Sequence, residues 1–225
     1  MNPILEIPIS LAVLMMSASV HEASHALAAY RMGDPTAKLK GRLTINPLKH
    51  IDLLGSLALP LLLILIHGPI FGWAKPVPAV PAYFYDRRKG EIMVSLAGVA
   101  ANLGLAVAAG IFLRILELAA ILGGAFGAVV YDHVLPFFIL VIRINFILLI
   151  INLIPIPPLD GHKALAAILP RSFKQAGIYV QAAGLALFVF LFAIFKLDGV
   201  LSDILKPLAT LIFGSRVLDA LTGMR

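Results

Sequence analysis

Cysteine is absent from the chain, charge is scarce, and no long polar block interrupts it. Without cysteine there is no disulfide, no thiolate metal site and no cysteine nucleophile, so any metal must be held by histidine and carboxylate. Charged residues make up only 13% of the 225 residues, against roughly one quarter in an ordinary soluble domain. No polar stretch reaches the roughly 80 residues that a PDZ, CBS or similar soluble module needs, and there is neither an internal repeat nor a low-complexity tract. Lysine and arginine are missing from residues 1 to 30. That run therefore lacks the basic start of a signal peptide, and its polar cluster lies where a small-residue cleavage site would be, so it reads as retained helix.

What is present is apolar. Hydrophobic residues are 60% of the chain and the mean hydropathy is +0.98. Apolar runs at about 4 to 30, 52 to 72, 91 to 122, 134 to 155, 176 to 195 and 199 to 213 approach the roughly 20 residues that cross a bilayer as helix, the last being short. The expectation is an all-α polytopic membrane protein with about six apolar segments, forming one membrane-embedded domain over 1-225, with a core at about 4-165 and a C-terminal helical hairpin at about 176-213. Residues 73-89, "WAKPVPAVPAYFYDRRK", are too rich in proline for helix and read as an extended or re-entrant segment.

The formal net charge of +6 does not point to nucleic acid. Its basic residues fall in short loops beside apolar runs, at Arg31 to Lys49, Arg87 to Lys89, Lys163 to Lys174 and the C-terminal Arg216 and Arg225, which is the positive-inside pattern. These loops are placed in the cytoplasm and the N-terminus outside.

Within the first apolar run stands "VHEASH". His21 and His25 are four apart, so on a helix they share a face and can reach one ion. Glu22 beside them has the position of the general base in the HExxH arrangement, taking a proton from water. From this chain's own frequencies an accidental match has a chance of roughly 0.3%, and ionisable groups inside an apolar helix must be bound, paired or hydrated. Zinc in a hydrolase wants a third protein ligand. The best candidate lies in "NLIPIPPLDG", residues 152 to 161, where prolines break an apolar helix and Asp160 follows at membrane depth.

"VHEASH" and "NLIPIPPLDG", with "SLAGVAAN" at 95 to 102 between them, resemble the site-2 protease family of intramembrane zinc metalloproteases. "GRLTINPLKHIDLLGSLALP" and "FGWAKPVPAVP" are similar to its short branch without a PDZ domain. The resemblance covers roughly residues 15 to 165. It implies one Zn2+ per chain held by His21, His25 and Asp160, with Glu22 as catalytic base, and Asn152 and Asn102 as residues that bind substrate or polarise the scissile carbonyl. Gly98, Pro155, Pro157 and Gly161 shape the surroundings. Val99 stands where the family often has proline, which bears on the shape of that helix start. The implied partners are a transmembrane protein substrate and the lipid bilayer, and the implied location is a multi-pass protein of the cell membrane with its site toward the cytoplasm.

Two rival readings use the same residues. A divalent-metal transporter would need a polar path across the membrane, and 176 to 195 and 199 to 213 offer almost no acidic residues or histidines. An inactive helix-binding scaffold would be expected to have lost a ligand or Glu22, and all four are present. Other polar residues carry weaker expectations: His50 and Asp52 as partners of a zinc histidine or as a helix start, His67 and the Asp132 and His133 pair as solvated loop residues, His162 near the metal cavity, and Arg143 snorkelling outward or pairing with Glu117. Gly123, Gly124 and Gly127 are expected at an outer turn.

Overall fold

The computed structural model describes residues 3–65 and 73–169. The expected C-terminal hairpin at 176 to 213 and His67 lie outside the described residues. Three long helices form the body: α1 (Pro3–Arg31), α4 (Arg87–Leu122) and α5 (Gly124–Leu153). Short α2 (Thr36–Leu39), α3 (Leu59–Leu65), which continues from a π-helical turn at Leu53–Ala58, and α6 (Asp160–Ile168) complete the described chain. The three long helices each contain a stretch long and apolar enough to cross a membrane, Ile7–Arg31, Arg87–Leu122 and His133–Leu153.

Small and polar residues explain how these helices meet. The buried face of α4 carries Ser95, Gly98, Asn102, Ala106, Ala109, Gly110 and Leu113, a three-and-four spacing that turns one narrow stripe inward. On α1 the buried set includes Ser10, Val13, Ser17 and His21, again one face. Lipid gives apolar helices little hydrophobic reason to associate, so small residues that permit close backbone approach, and polar residues that bond across, hold such bundles together. Further from the site, Ala106, Ala109 and Leu113 of α4 pack on Ile142 and Phe146 of α5 in an apolar core.

Several boundaries differ from those expected. Helix α4 begins at Arg87, where Asp86 accepts a hydrogen bond from the Lys89 amide, so the extended stretch ends before 87–89. It also runs unbroken through Val99, which is a buried mid-helix residue and starts nothing. Asp132 and His133 lie inside α5, because the turn between α4 and α5 is made earlier by Gly123 and Gly124, the latter at φ +60°. That positive φ is open to glycine without strain.

Residues 73–80 are extended. The Trp73 amide donates to the Gly55 carbonyl at 3.1 Å, so by Trp73 the chain is back beside its own starting point. The thirteen helical residues of Leu53–Leu65 rise only about 20 Å, short of the roughly 30 Å hydrocarbon core. From Trp73 onward the proline-rich chain lies along α1, with the Val77 amide on Glu22 and the Val80 amide on Asp34.

Asp34 fixes that chain to the end of α1. It is fully buried and accepts from the Thr36 amide at 2.9 Å and the Val80 amide at 2.6 Å. Burial alone would raise its carboxyl, but the bonds from Thr36 and Val80 prevail and hold it below the ordinary 3.8. A depressed native pKa contributes stability above the unfolded value that is lost as pH falls through the native one. Stability is therefore expected to decline below about pH 4. Asp34→Ala, which leaves the partly buried Thr36 and Val80 amides without this acceptor, is expected to cost about 1–3 kcal/mol, read as a lower melting temperature at neutral pH.

Candidate metal centre

His21 and His25 stand on α1 one turn apart, with ring centroids 4.6 Å apart. Each is oriented by its far ring nitrogen. His25 Nδ1 lies 2.6 Å from the Val94 carbonyl, which can only accept, so this nitrogen carries the proton. His21 Nδ1 lies 2.7 Å from Asn102 Oδ1. The two Nε2 atoms then offer lone pairs and converge 3.0 Å apart.

Asp160 closes the triangle. Its Oδ2 lies 3.0 Å from His21 Nε2 and 2.9 Å from His25 Nε2, and all three residues are buried. Three acceptor atoms facing one another repel unless a cation lies among them. Their separations suit one ion about 2 Å from each, leaving a fourth position open, which is the donor set and geometry of a catalytic zinc site. The residues present thus fit the metal.

The prolines deliver Asp160. Helix α5 ends at Leu153, and a tight turn through Pro155, Pro157 and Pro158 leads to α6, whose first residue is Asp160. Gly161 is required there: a Cβ would lie 2.3 Å from the Leu153 carbonyl oxygen and 2.8 Å from that of Ile154. Lys163, one turn along α6, donates to Asp160 Oδ1 at 2.8 Å, so each carboxylate oxygen has its own partner.

Glu22 sits beside this triangle. Its carboxylate and the two imidazole nitrogens lie within 4.8 Å of one another. The Val77 amide, between two prolines of the extended segment, donates to Glu22 Oε2 at 2.7 Å. One oxygen is thereby held by backbone and the other is left to act.

The remaining candidates divide. Gly98 touches the site directly, since a Cβ there would meet both imidazoles. Asn102 is fully buried with its oxygen on His21, so it orients a ring and faces no open space. Asn152 is half-buried and returns its amide to the Leu148 carbonyl one turn back. His50 is buried but bonds the Thr44 carbonyl, away from the triangle, and Asp52 caps the helical turn at Leu53 by accepting from the Leu54 and Gly55 amides. His162 is half-buried on α6. Glu117 pairs with Arg114, three residues back on α4, at 2.9 Å.

Sequence reasoning passed over Asn145, Lys163 and Val77. Asn145 had a signal, because an asparagine in so apolar a helix needs a partner. Lys163 had one too, at three residues from Asp160 on a short helix. Val77 had none, since it acts through its backbone.

No family model matches the chain and no solved structure matches it. Among curated proteins it is 37% identical over 190 residues to "Putative zinc metalloprotease YwhC" of Bacillus subtilis, covering 84% of this chain and 82% of that one. It is 36% identical over 151 residues to "Putative zinc metalloprotease Rip2" of Mycolicibacterium smegmatis, 67% of this chain and 53% of the relative. With the protein of the same name from Mycobacterium tuberculosis it shares 30% over 185 residues, 82% and 66% of the two lengths. The chain thus spans about half the length of the M. smegmatis relative.

Proposed function

The chain belongs to the site-2 protease family of zinc metalloproteases, and on that footing we propose that it hydrolyses peptide bonds in or near the transmembrane helices of single-pass membrane proteins. The observation that supports this best is the depth of the donor triangle. His21 and His25 lie ten and six residues inside Arg31, the end of α1, which is about 15 and 9 Å along the helix axis. A bond cut there must be brought below the helix ends.

His21, His25 and Asp160 would hold a zinc ion, which would supply Lewis acidity toward a peptide carbonyl and toward water. The protein's own groups do the rest. Glu22 takes the proton from the attacking water and passes it to the leaving amine. Val77 holds one oxygen of that carboxylate, so the other is aimed. Asn152, at the end of α5, is assigned to substrate backbone. The site faces the cytoplasmic side of the cell membrane, where Arg31, Lys38, Lys40, Arg42 and Lys49 cluster.

Val77→Pro tests the aiming of Glu22. Proline removes the amide hydrogen that Val77 gives to Glu22, in a segment already flanked by Pro76 and Pro78. Cleavage is expected to fall about tenfold with KM and zinc content unchanged. Unchanged kcat would remove Val77 from the mechanism.

An intact helix buries its carbonyls in hydrogen bonds, so a substrate must unwind at the cut. Purified protein given matched single-pass substrates is expected to cut one with glycine or asparagine near the site faster than one with a polyleucine helix. Equal rates, or no zinc-dependent cutting of either, would count against the proposal.

A further inference from the structure

Behind His21 a chain of buried amides crosses the bundle. Asn102 Nδ2 of α4 donates to Asn145 Oδ1 of α5 at 3.2 Å, and Asn145 Nδ2 donates both to Ser17 Oγ of α1 at 2.9 Å and to the Val141 carbonyl at 2.9 Å. Asn102 and Asn145 have no exposed surface, and Ser17 has 4%. Such a network is costly at this depth unless each polar atom is paired, and here every amide group of the two asparagines has a partner.

The direction of the chain is fixed at one end. The Val141 carbonyl has no hydrogen to give, so it must receive the Asn145 NH2 group. That turns Asn145 Oδ1 toward Asn102, which must answer with its own NH2. Asn102 Oδ1 is then left for His21, whose Nδ1 must carry the proton. In the neutral imidazole the lone pair is then on Nε2, facing the centre of the triangle. Each amide has two orientations and the imidazole two tautomers, and a single backbone carbonyl of α5 selects among them.

We propose that Asn145 is a positioning residue of the metal site, acting through Asn102 to hold His21 in the tautomer that presents Nε2 to the metal. The proposal rests on the reading of His21 as a metal ligand. It also explains why a polar residue stands on α5 at this depth, two helical turns before the proline break that delivers Asp160: the same helix sets the orientation of one ligand and the position of another.

Two variants separate positioning from packing. Asn145→Leu keeps the volume and removes the acceptor that holds Asn102. Asn145→Asp keeps that acceptor, whether the carboxyl is ionised or protonated. The full chain in detergent, labelled with 15N-histidine, is read by NMR in the zinc-free state for the His21 tautomer, assigned against His21→Gln, and zinc affinity is read by competition with a chelator. Wild type and Asn145→Asp are expected to show His21 protonated on Nδ1 and zinc affinities within about threefold of each other. Asn145→Leu is expected to show mixed tautomers and about tenfold weaker zinc, at the lower end of the effect of removing an outer partner of a ligand. Unchanged tautomer and affinity in Asn145→Leu, even with a lower melting temperature, would reduce Asn145 to packing and overturn the proposal. Equal impairment in both variants would overturn it as well, since the retained acceptor would then not matter. A wild-type protein with His21 protonated on Nδ1 that bound no zinc would overturn the metal reading instead, while supporting the geometry of the relay.

Discussion

Glu22→Gln is expected to slow cleavage by about 10²- to 10⁴-fold, the usual worth of a positioned acid-base group, while the protein keeps its zinc. The substitution preserves shape and still offers an oxygen to the Val77 amide, which lies 2.7 Å from Glu22 Oε2. It takes away only the ability to accept a proton from water and return it to the amine. Because the proposed ligands are His21, His25 and Asp160, whose donor atoms converge without Glu22, zinc content measured on the same preparation should match wild type. Loss of zinc together with activity would mean that Glu22 is a ligand and that the base lies elsewhere.

Gly98→Ala is expected to do the reverse and destroy the metal site with a single methyl group. A Cβ at this position would lie 2.5 Å from His21 Cε1 and His25 Nε2 and 2.6 Å from His21 Nδ1. Contacts this short are not tolerated, and rings held at Nδ1 by hydrogen bonds cannot turn aside without breaking them. Either α1 moves away from α4 or both imidazoles leave their partners, Asn102 and the Val94 carbonyl. Zinc affinity should fall by about 100-fold or more, judged against the 10- to 100-fold typical of losing one outer partner, and cleavage should fall with it. Gly104→Ala on the same helix, where a Cβ would meet nothing within 4 Å, serves as the control and should retain wild-type zinc. Zinc binding by Gly98→Ala at wild-type affinity would show that the helices stand further apart than the structure has them.

These two residues also show what the sequence could and could not disclose. The histidine pair was legible because a four-residue spacing on a helix has one geometric meaning, and Asp160 because prolines in an apolar run force a break that only a protected or wet site tolerates. The family motif marked Gly98, but only the packed helices reveal that the missing Cβ is the space the imidazoles occupy. The backbone donor at Val77 left no trace in the residue types. The boundaries that differ have a common cause: polarity inside an apolar stretch looks like the end of a helix in sequence, whether or not the helix ends there. Asp132 and His133 belong to α5, while the real turn was marked by the quieter signal of Gly123 and Gly124. In the same way Asp86, a helix cap by its side-chain bond to Lys89, was absorbed into the proline-rich stretch before it.

The central claim is that the cut falls inside the membrane. The measurement that tests it most directly places the protein and a single-pass substrate together in liposomes and reads the new termini by mass spectrometry, beside Glu22→Gln loaded with zinc. The account predicts termini within the transmembrane segment of the substrate that are absent from the Glu22→Gln sample. Termini confined to the substrate's water-exposed flanks, or the same termini in both samples, would contradict it.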